Sequence, residues 1–194
     1  MEIEYVDSAH LYLADGVIIP SVTQIVEKLF PATYENVPPD VLKKAAEFGT
    51  KIHDAVAWWH GRAEAPKLGP LELEILNGYK KIERENKIEV SQMEKIIHFN
   101  GRYAGRFDLL GWIGGEYSLA DIKTTSKVEI DRLKWQLGLY KMAYENMTGE
   151  KIKSCYCIWL PKKNPAKLIA IEPINERRCL DVLEKIEKGE SVRI

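Results

Sequence analysis

Residues 107–123, FDLLGWIGGEYSLADIK, decide the reading of this chain. Two apolar-rich stretches flank Gly114-Gly115, and Gly-Gly suits a two-residue hairpin loop because a type I′ turn needs positive φ at both central positions. If Ile113 pairs with Glu116, counting outward sets Leu110 against Leu119, Asp108 against Asp121 and Arg106 against Lys123. Directly opposed residues on an antiparallel pair have Cβ atoms about 4.5–5.5 Å apart, and like charges there repel. Two carboxylates so close, on a face shared with Leu110, Trp112 and Leu119, need a proton or a cation between them. A divalent metal meets that need. Alternation along the strand puts Lys123 on the face of Asp121 and Ile122 on the opposite one. A salt-bridge cluster of Arg106, Asp108, Asp121 and Lys123 on a solvated face explains the same residues. A one-residue bulge would spoil the register.

The composition is that of a globular protein: 194 residues, 45% hydrophobic, 29% charged and a net charge of −1. One domain with a sizeable core is expected. No global basic field advertises nucleic acid, so such contacts need locally clustered Lys and Arg. The opening MEIEYVDSAH lacks a basic region followed by an apolar run, so no signal peptide is expected. No stretch reaches the ~18 apolar residues of a membrane span, so no membrane partner is expected. Three cysteines argue against a disulfide framework and for a reducing compartment. Cys155 and Cys157 alternate along CYCIWL, Cys179 lies in a later helix, and all three read as buried thiols. A four-cysteine iron–sulfur cluster is impossible within one chain. The expected location is cytoplasmic.

Working outward, HLYLADGVIIP reads as a small hairpin turning at Asp15-Gly16. Ser21 caps a short helix, SVTQIVEKLF, ended by Pro31. The connector PATYENVPPD leads to Asp40, a second N-cap candidate, and VLKKAAEFGTKIHDAVAWWHG has helical apolar spacing up to Gly61. A third helix covers roughly Leu71 to Asn86. Strands follow at about Glu89 to Asn100, Arg102 to Ile113 and Glu116 to Thr124. Asp131 is placed to cap RLKWQLGLYKMAYENM; two strands, around Ile152–Pro161 and Ala166–Ile171, and a helix from about Asn175 complete the chain. This order predicts an α/β architecture with a central mixed sheet flanked by helices, and an N-terminal β-hairpin and helical segment. Residues 1–194 form one domain, with 1–88 the hairpin plus helical part and 89–194 the sheet core.

Several other residues carry candidate chemistry. His53 shares a helical face with Ala46, Gly49 and Ala57. Gly49 inside a helix costs about 1 kcal/mol against alanine, which suggests a close approach or a functional reason. A lone helical histidine is more often packed than ligating, and His60 is a weaker candidate. Gln136 and Tyr140 stand at i,i+4 and share one helix face; phosphate, a base or the surroundings of a metal would suit their tips, as would an amphipathic border. Glu94 is a candidate further carboxylate, or an exposed strand residue. Trp58, Trp59 and Trp135 could stack bases, although burial is the commoner role. Nucleophile-elbow, zinc-helix, phosphate-loop and dinucleotide motifs are missing. Thr124-Thr125-Ser126 have no histidine nearby in sequence to activate a hydroxyl.

As an ordered set these residues resemble the RecB-like branch of the PD-(D/E)xK nuclease superfamily. The segments are GTKIH (His53), GRFD (Asp108), DIK (Asp121, Lys123) and QLGLY (Gln136, Tyr140), over about half the chain. DGVIIPSVTQI is similar to phage-type exonucleases of this branch and the mitochondrial genome maintenance exonuclease. Phe107 replaces the proline of the motif's name and Asp121 the commoner glutamate. Ala57 stands where an acidic residue sometimes follows the histidine, which leaves Glu94 as the candidate further ligand. The cysteines of the iron–sulfur members are missing, so no cluster is inferred.

The resemblance implies a restriction-endonuclease-like core and a metal-dependent DNA exonuclease serving recombination, repair or phage DNA processing. It implies one or two Mg²⁺ or Mn²⁺ ions on His53, Asp108, Asp121 and the Ile122 backbone carbonyl. Catalysis falls to Asp108, Asp121 and Lys123, with the lysine positioning the attacking water rather than taking its proton, because nearby carboxylates raise its pKa. Gln136 and Tyr140 would hold the strand or brace the site, with Arg106 and Lys134 as phosphate contacts. The partner is DNA, single- or double-stranded, with free ends; the near-neutral charge of the chain leaves an oligomer or a partner protein open as the source of basic surface. A structure-specific or single-strand endonuclease is the nearest alternative. A non-catalytic nucleic-acid-binding module or a metal-stabilised structural domain are the others.

Overall fold

The computed structural model describes residues 1–6, 9, 11–31 and 37–192. His10 of the expected N-terminal hairpin and residues 32–36 of the connector lie outside them. The strands are β1 (Ile3–Val6), β2 (Leu11–Ala14), β3 (Val17–Ile19), β4 (Glu89–Phe99), β5 (Tyr103–Ile113), β6 (Glu116–Lys123), β7 (Ser154–Trp159) and β8 (Lys167–Ile171). The helices are α1 (Val22–Leu29), α2 (Pro39–Trp59), α3 (Pro70–Glu85), α4 (Ile130–Thr148) and α5 (Glu176–Glu187).

Five strands form the central sheet in the order β4-β5-β6-β7-β8. Every neighbouring pair is antiparallel except β6–β7, which is parallel because α4 carries the chain back across the sheet. Both faces are covered, which is why the inner strands are apolar on both sides. One face packs against α1, α4 and α5 through Val22, Ile25, Leu119, Leu133, Leu137 and Cys157. The other packs against α2 and α3 through Ile52, Val56, Tyr79, Leu109, Ile122 and Ile158. β1-β2-β3 make a separate antiparallel sheet. Its Asp15-Gly16 turn takes positive φ at both residues, and Ala14 pairs with Val17 across it.

The caps follow local chemistry. Ser21 accepts from Gln24 N while the Gln24 side chain accepts from Ser21 N, closing a capping box on α1. Asn175 caps α5 through Arg178 N. Two expected caps are corrected: Pro38, not Asp40, precedes α2, and Glu129, not Asp131, precedes α4. Both aspartates fall in first turns, where the helix dipole favours negative charge without a side-chain cap.

The Gly114-Gly115 turn has positive φ at both glycines, and Ile113 pairs with Glu116 as counted. The β5–β6 rungs run through Leu110–Leu119 to Leu109–Ala120 and stop one step before Asp108. There the Asp108 carboxylate replaces main-chain pairing, with Oδ2 accepting from Ile122 N at 2.6 Å. The shared face expected for Asp108, Leu110 and Trp112 needs correction. Phe107 packs with Leu110 in the α4-side core, whereas Leu109 packs in the α2-side core, so the two-residue alternation breaks at Asp108. The cause lies on β4. Glu94 takes φ +50°, and no Glu94–Asp108 rung forms between Met93–Leu109 and Lys95–Phe107. Trp112 is 44% exposed and lies against Tyr117, not beside the carboxylates.

Candidate metal centre

His53 projects from α2 towards the middle of β4 and β5 and the last residues of β6. Its Nε2 donates to the Ile122 carbonyl oxygen at 3.2 Å, which turns Nδ1 towards Asp108 Oδ1 at 3.5 Å and Glu94 Oε1 at 3.7 Å. One donor atom from each of His53, Glu94 and Asp108 lies within 4.8 Å of the others, a group that could hold a metal ion. Two carboxylates facing one ring nitrogen are a poor arrangement for a neutral imidazole alone. Burial pushes the His53 imidazole down, but the charge and hydrogen bond of Asp108, with Glu94 adding to both, lift it to about 10. The second ring proton thus stands in for the cation that the carboxylates call for.

Asp121 is outside that triad and almost wholly buried. Gln136 Nε2 donates to its Oδ1 at 2.8 Å. Lys123 Nζ lies 3.0 Å from Oδ1 and 2.8 Å from Oδ2, but only the first contact has hydrogen-bond geometry. Oδ2 is therefore buried without a hydrogen-bond partner, its one polar contact being the ion pair with the Lys123 ammonium. Burial raises the Asp121 carboxyl, Lys123 lowers it and the charge of Asp108 raises it; the net direction is up. For Asp108, burial is outweighed by His53, Lys123 and the Ile122 N–H, and the net direction is down. Lys123 is lowered by burial and raised more by Asp121 and Asp108, so it stays an ammonium.

The outer residues sort by geometry. Arg106 Nε lies 3.0 Å from Glu94 Oε2, not beside Lys123, because the β5–β6 ladder ends before that register position. Tyr140 is buried, with its hydroxyl 3.5 Å from Gln136 Nε2. Lys134, two residues before Gln136 on α4, pairs with Asp131 at 3.5 Å and is not brought to the cluster. Trp59 Nε1 donates to Glu83 and carries Lys80 over its ring, and Trp135 is buried. His60 bonds Tyr79 at 2.6 Å, away from the cluster.

Two glycines matter more to this arrangement than Gly49, where a Cβ would make only an ordinary 3.5 Å contact with Thr124 Oγ1. A Cβ on Gly105 would stand 2.6 Å from Tyr140 Cε1 and 3.0 Å from Val22 Cγ2; on Gly138 it would stand 2.6 Å from the Ile174 carbonyl oxygen. The bare Gly105 lets α4 lie close on the sheet, and the bare Gly138 lets the connector before α5 lie close on α4. The sequence signal is a glycine inside an otherwise continuous strand or helix pattern.

No protein family matches this chain by sequence, and no curated protein does. Solved structures share its shape. A protein from Eubacterium rectale named "Putative exonuclease" superposes with a TM-score of 0.52 at 16% identity, over 88% of this chain and 78% of that one. Another, SSO0001, overlaps at a TM-score of 0.45 and 15% identity, over 90% of this chain and 78% of its own. Fold and site thus define a mixed α/β protein of exonuclease-like fold with a His/Glu/Asp group able to hold a metal. Among the described residues, no helix is long and apolar enough to cross a membrane.

Proposed function

We propose that this protein is a metal-dependent deoxyribonuclease that hydrolyses DNA phosphodiester bonds from free ends, in recombination, repair or phage DNA processing. The observation that carries this reading is the convergence of His53, Glu94 and Asp108 beside the Asp121–Lys123 pair. The exonuclease-like fold supports it.

His53 Nδ1, Glu94 and Asp108 would hold a divalent ion, and Asp121 would join through Oδ2. Oxygen donors with one imidazole suit Mg²⁺ or Mn²⁺. Such an ion supplies Lewis-acid charge on the phosphate and lowers the pKa of nearby water. The chain's own groups supply the rest. The Ile122 carbonyl orients the imidazole, as the outer partners of metal-binding histidines do. Lys123 brings a fixed positive charge to the reacting phosphate and orients water; as a paired ammonium it has no lone pair to act as base. Gln136 holds Asp121, Tyr140 supports Gln136, and Arg106 stands ready at the rim for a flanking phosphate.

End-labelled single- and double-stranded DNA, beside covalently closed circles and with or without Mn²⁺, tests this. Linear DNA should be degraded only with metal, and circles should survive. Cutting of circles would move the reading to an endonuclease, and binding without cleavage to a nucleic-acid-binding module. Asp121→Ala and Lys123→Ala should each abolish cleavage with an unchanged circular dichroism spectrum; cleavage retained in either would sink the assignment.

A further inference from the structure

A cavity of about 320 Å³ opens beside the site, between α2 and the loop joining β7 to β8. Ala45 and Phe48 form one wall, Thr124, Thr125 and Ser126 the next, and Pro161 to Asn164 the last. Thr124 directly follows Lys123, and the position of a Cβ on Gly49, one helical turn before His53, is 3.5 Å from Thr124 Oγ1. The cavity therefore adjoins the reacting groups.

Its chemistry is one-sided. In a chain with 29 acidic residues, the walls hold two lysines, three hydroxyls, a carboxamide and an aromatic ring, and no carboxylate. Among the described residues, neither Lys162 nor Lys163 is ion-paired, and the Thr124 and Ser126 hydroxyls have no hydrogen-bond partner. Thr125 Oγ1 is used, donating to the Lys127 carbonyl at 2.7 Å. Lys162 Nζ sits over the Phe48 ring, 3.9 Å from its centroid. The aromatic face is thus capped by a cation on a long flexible stem that is free to swing away. The volume is at the lower end of small-molecule pockets, about 300–1,000 Å³. One nucleotide fits; stacked base pairs do not.

We propose that this cavity is a subsite for one unpaired nucleotide of a single-stranded nucleic acid, lying next to the cleavage centre. It rests on the nuclease reading above. The base stacks on Phe48, and the phosphate takes Lys162, Lys163 and the free hydroxyls of Thr124 and Ser126. Lys162 exchanges the ring for the phosphate as the base arrives. A duplex end reaches the site only by fraying, so single-stranded DNA is the preferred substrate.

The test measures anisotropy of a fluorescent short oligothymidylate in EDTA, with cleavage in Mn²⁺ run in parallel. Phe48→Ala should weaken metal-free binding roughly five- to a hundredfold, the range expected for one stacked base. Phe48→Tyr should restore it. Lys162→Ala/Lys163→Ala, on an exposed loop, should weaken binding about tenfold or more and flatten its salt dependence. Lys81→Ala, a surface lysine on α3, should leave binding as it is and controls for charge alone. Unchanged binding in the Phe48→Ala and double-lysine proteins, with wild-type cleavage intact, overturns the subsite and leaves the nuclease reading standing. Binding that depends on these residues without any cleavage supports the subsite and removes the nuclease. A wild-type protein that neither binds nor cleaves overturns both.

Discussion

Glu94 and Asp108 face each other across the β4–β5 ladder without forming a rung, and Glu94 adopts a left-handed φ of +50° at that point. A non-glycine residue in this region costs about 1–3 kcal/mol. Two carboxylates turned to one imidazole add like-charge repulsion. The protein therefore concentrates backbone strain and charge strain at the residues that gather round His53.

Glu94→Gly should be more stable than Glu94→Ala by about 1 kcal/mol, the reverse of the usual order within a strand, because glycine takes positive φ freely. Both should lower Mn²⁺ affinity roughly tenfold or more, as expected for loss of a group bound to or beside the metal. Urea denaturation of the metal-free proteins and calorimetric titration read the two effects separately. An alanine variant as stable as the glycine one would remove the strain argument.

Metal loading should release protons. His53 is raised in the folded metal-free protein, from 6.5 to about 10. Its contribution to stability is accordingly full below pH 6.5 and lost as pH rises through about 10. Coordination through Nδ1 needs the neutral ring, so near pH 8 about one proton should leave per ion bound, and apparent affinity should rise with pH. Calorimetry in two buffers of different ionisation enthalpy measures this. Equal heats in both would contradict coordination by His53.

Gln136→Leu should destabilise the protein by about 1.5–3 kcal/mol, the range for a hydrogen bond to a charged group, because Asp121 Oδ1 then keeps only Lys123. Tyr140→Phe should cost far less, since its hydroxyl contact is only 3.5 Å long. Thermal unfolding of the two variants gives the order directly.

Gly105→Ala should cost about 1–3 kcal/mol through overpacking against Tyr140 and Val22. Gly49→Ala meets only a 3.5 Å contact and should be neutral or slightly stabilising, given the better helix propensity of alanine. Denaturant midpoints of the two proteins provide the comparison.

The central sheet was legible because its signals are local. A Gly-Gly turn sets a register that can be counted, and it holds to Leu109–Ala120. The break at Asp108 was not legible, because it originates in the conformation of Glu94, a residue on another strand whose type does not announce positive φ. The salt-bridge reading of the cluster had part of the truth: Lys123 does pair with Asp121, but Arg106 pairs with Glu94. Gln136 and Tyr140 were readable as one helix face. Lys134 was not placed by that logic, since its position on the far side of α4 depends on how the helix rolls on the sheet. Gly105 and Gly138 were missed for a similar reason: close approach between elements is a property of the assembled layers.

The β6–α4–β7 crossover leaves the two halves of the site with very different histories along the chain. Gln136 reaches Asp121 across 15 residues, whereas His53 reaches Ile122 across 69. Closing the longer loop carries the greater entropic cost and belongs to the slower, non-local part of assembly. A folding chain that has closed only its meander and α4 has Glu94, Asp108, Asp121 and Lys123 in place but lacks the His53 ring. Ion capture thus becomes a report that α2 has docked on the sheet, and a copy without that docking carries an incomplete centre.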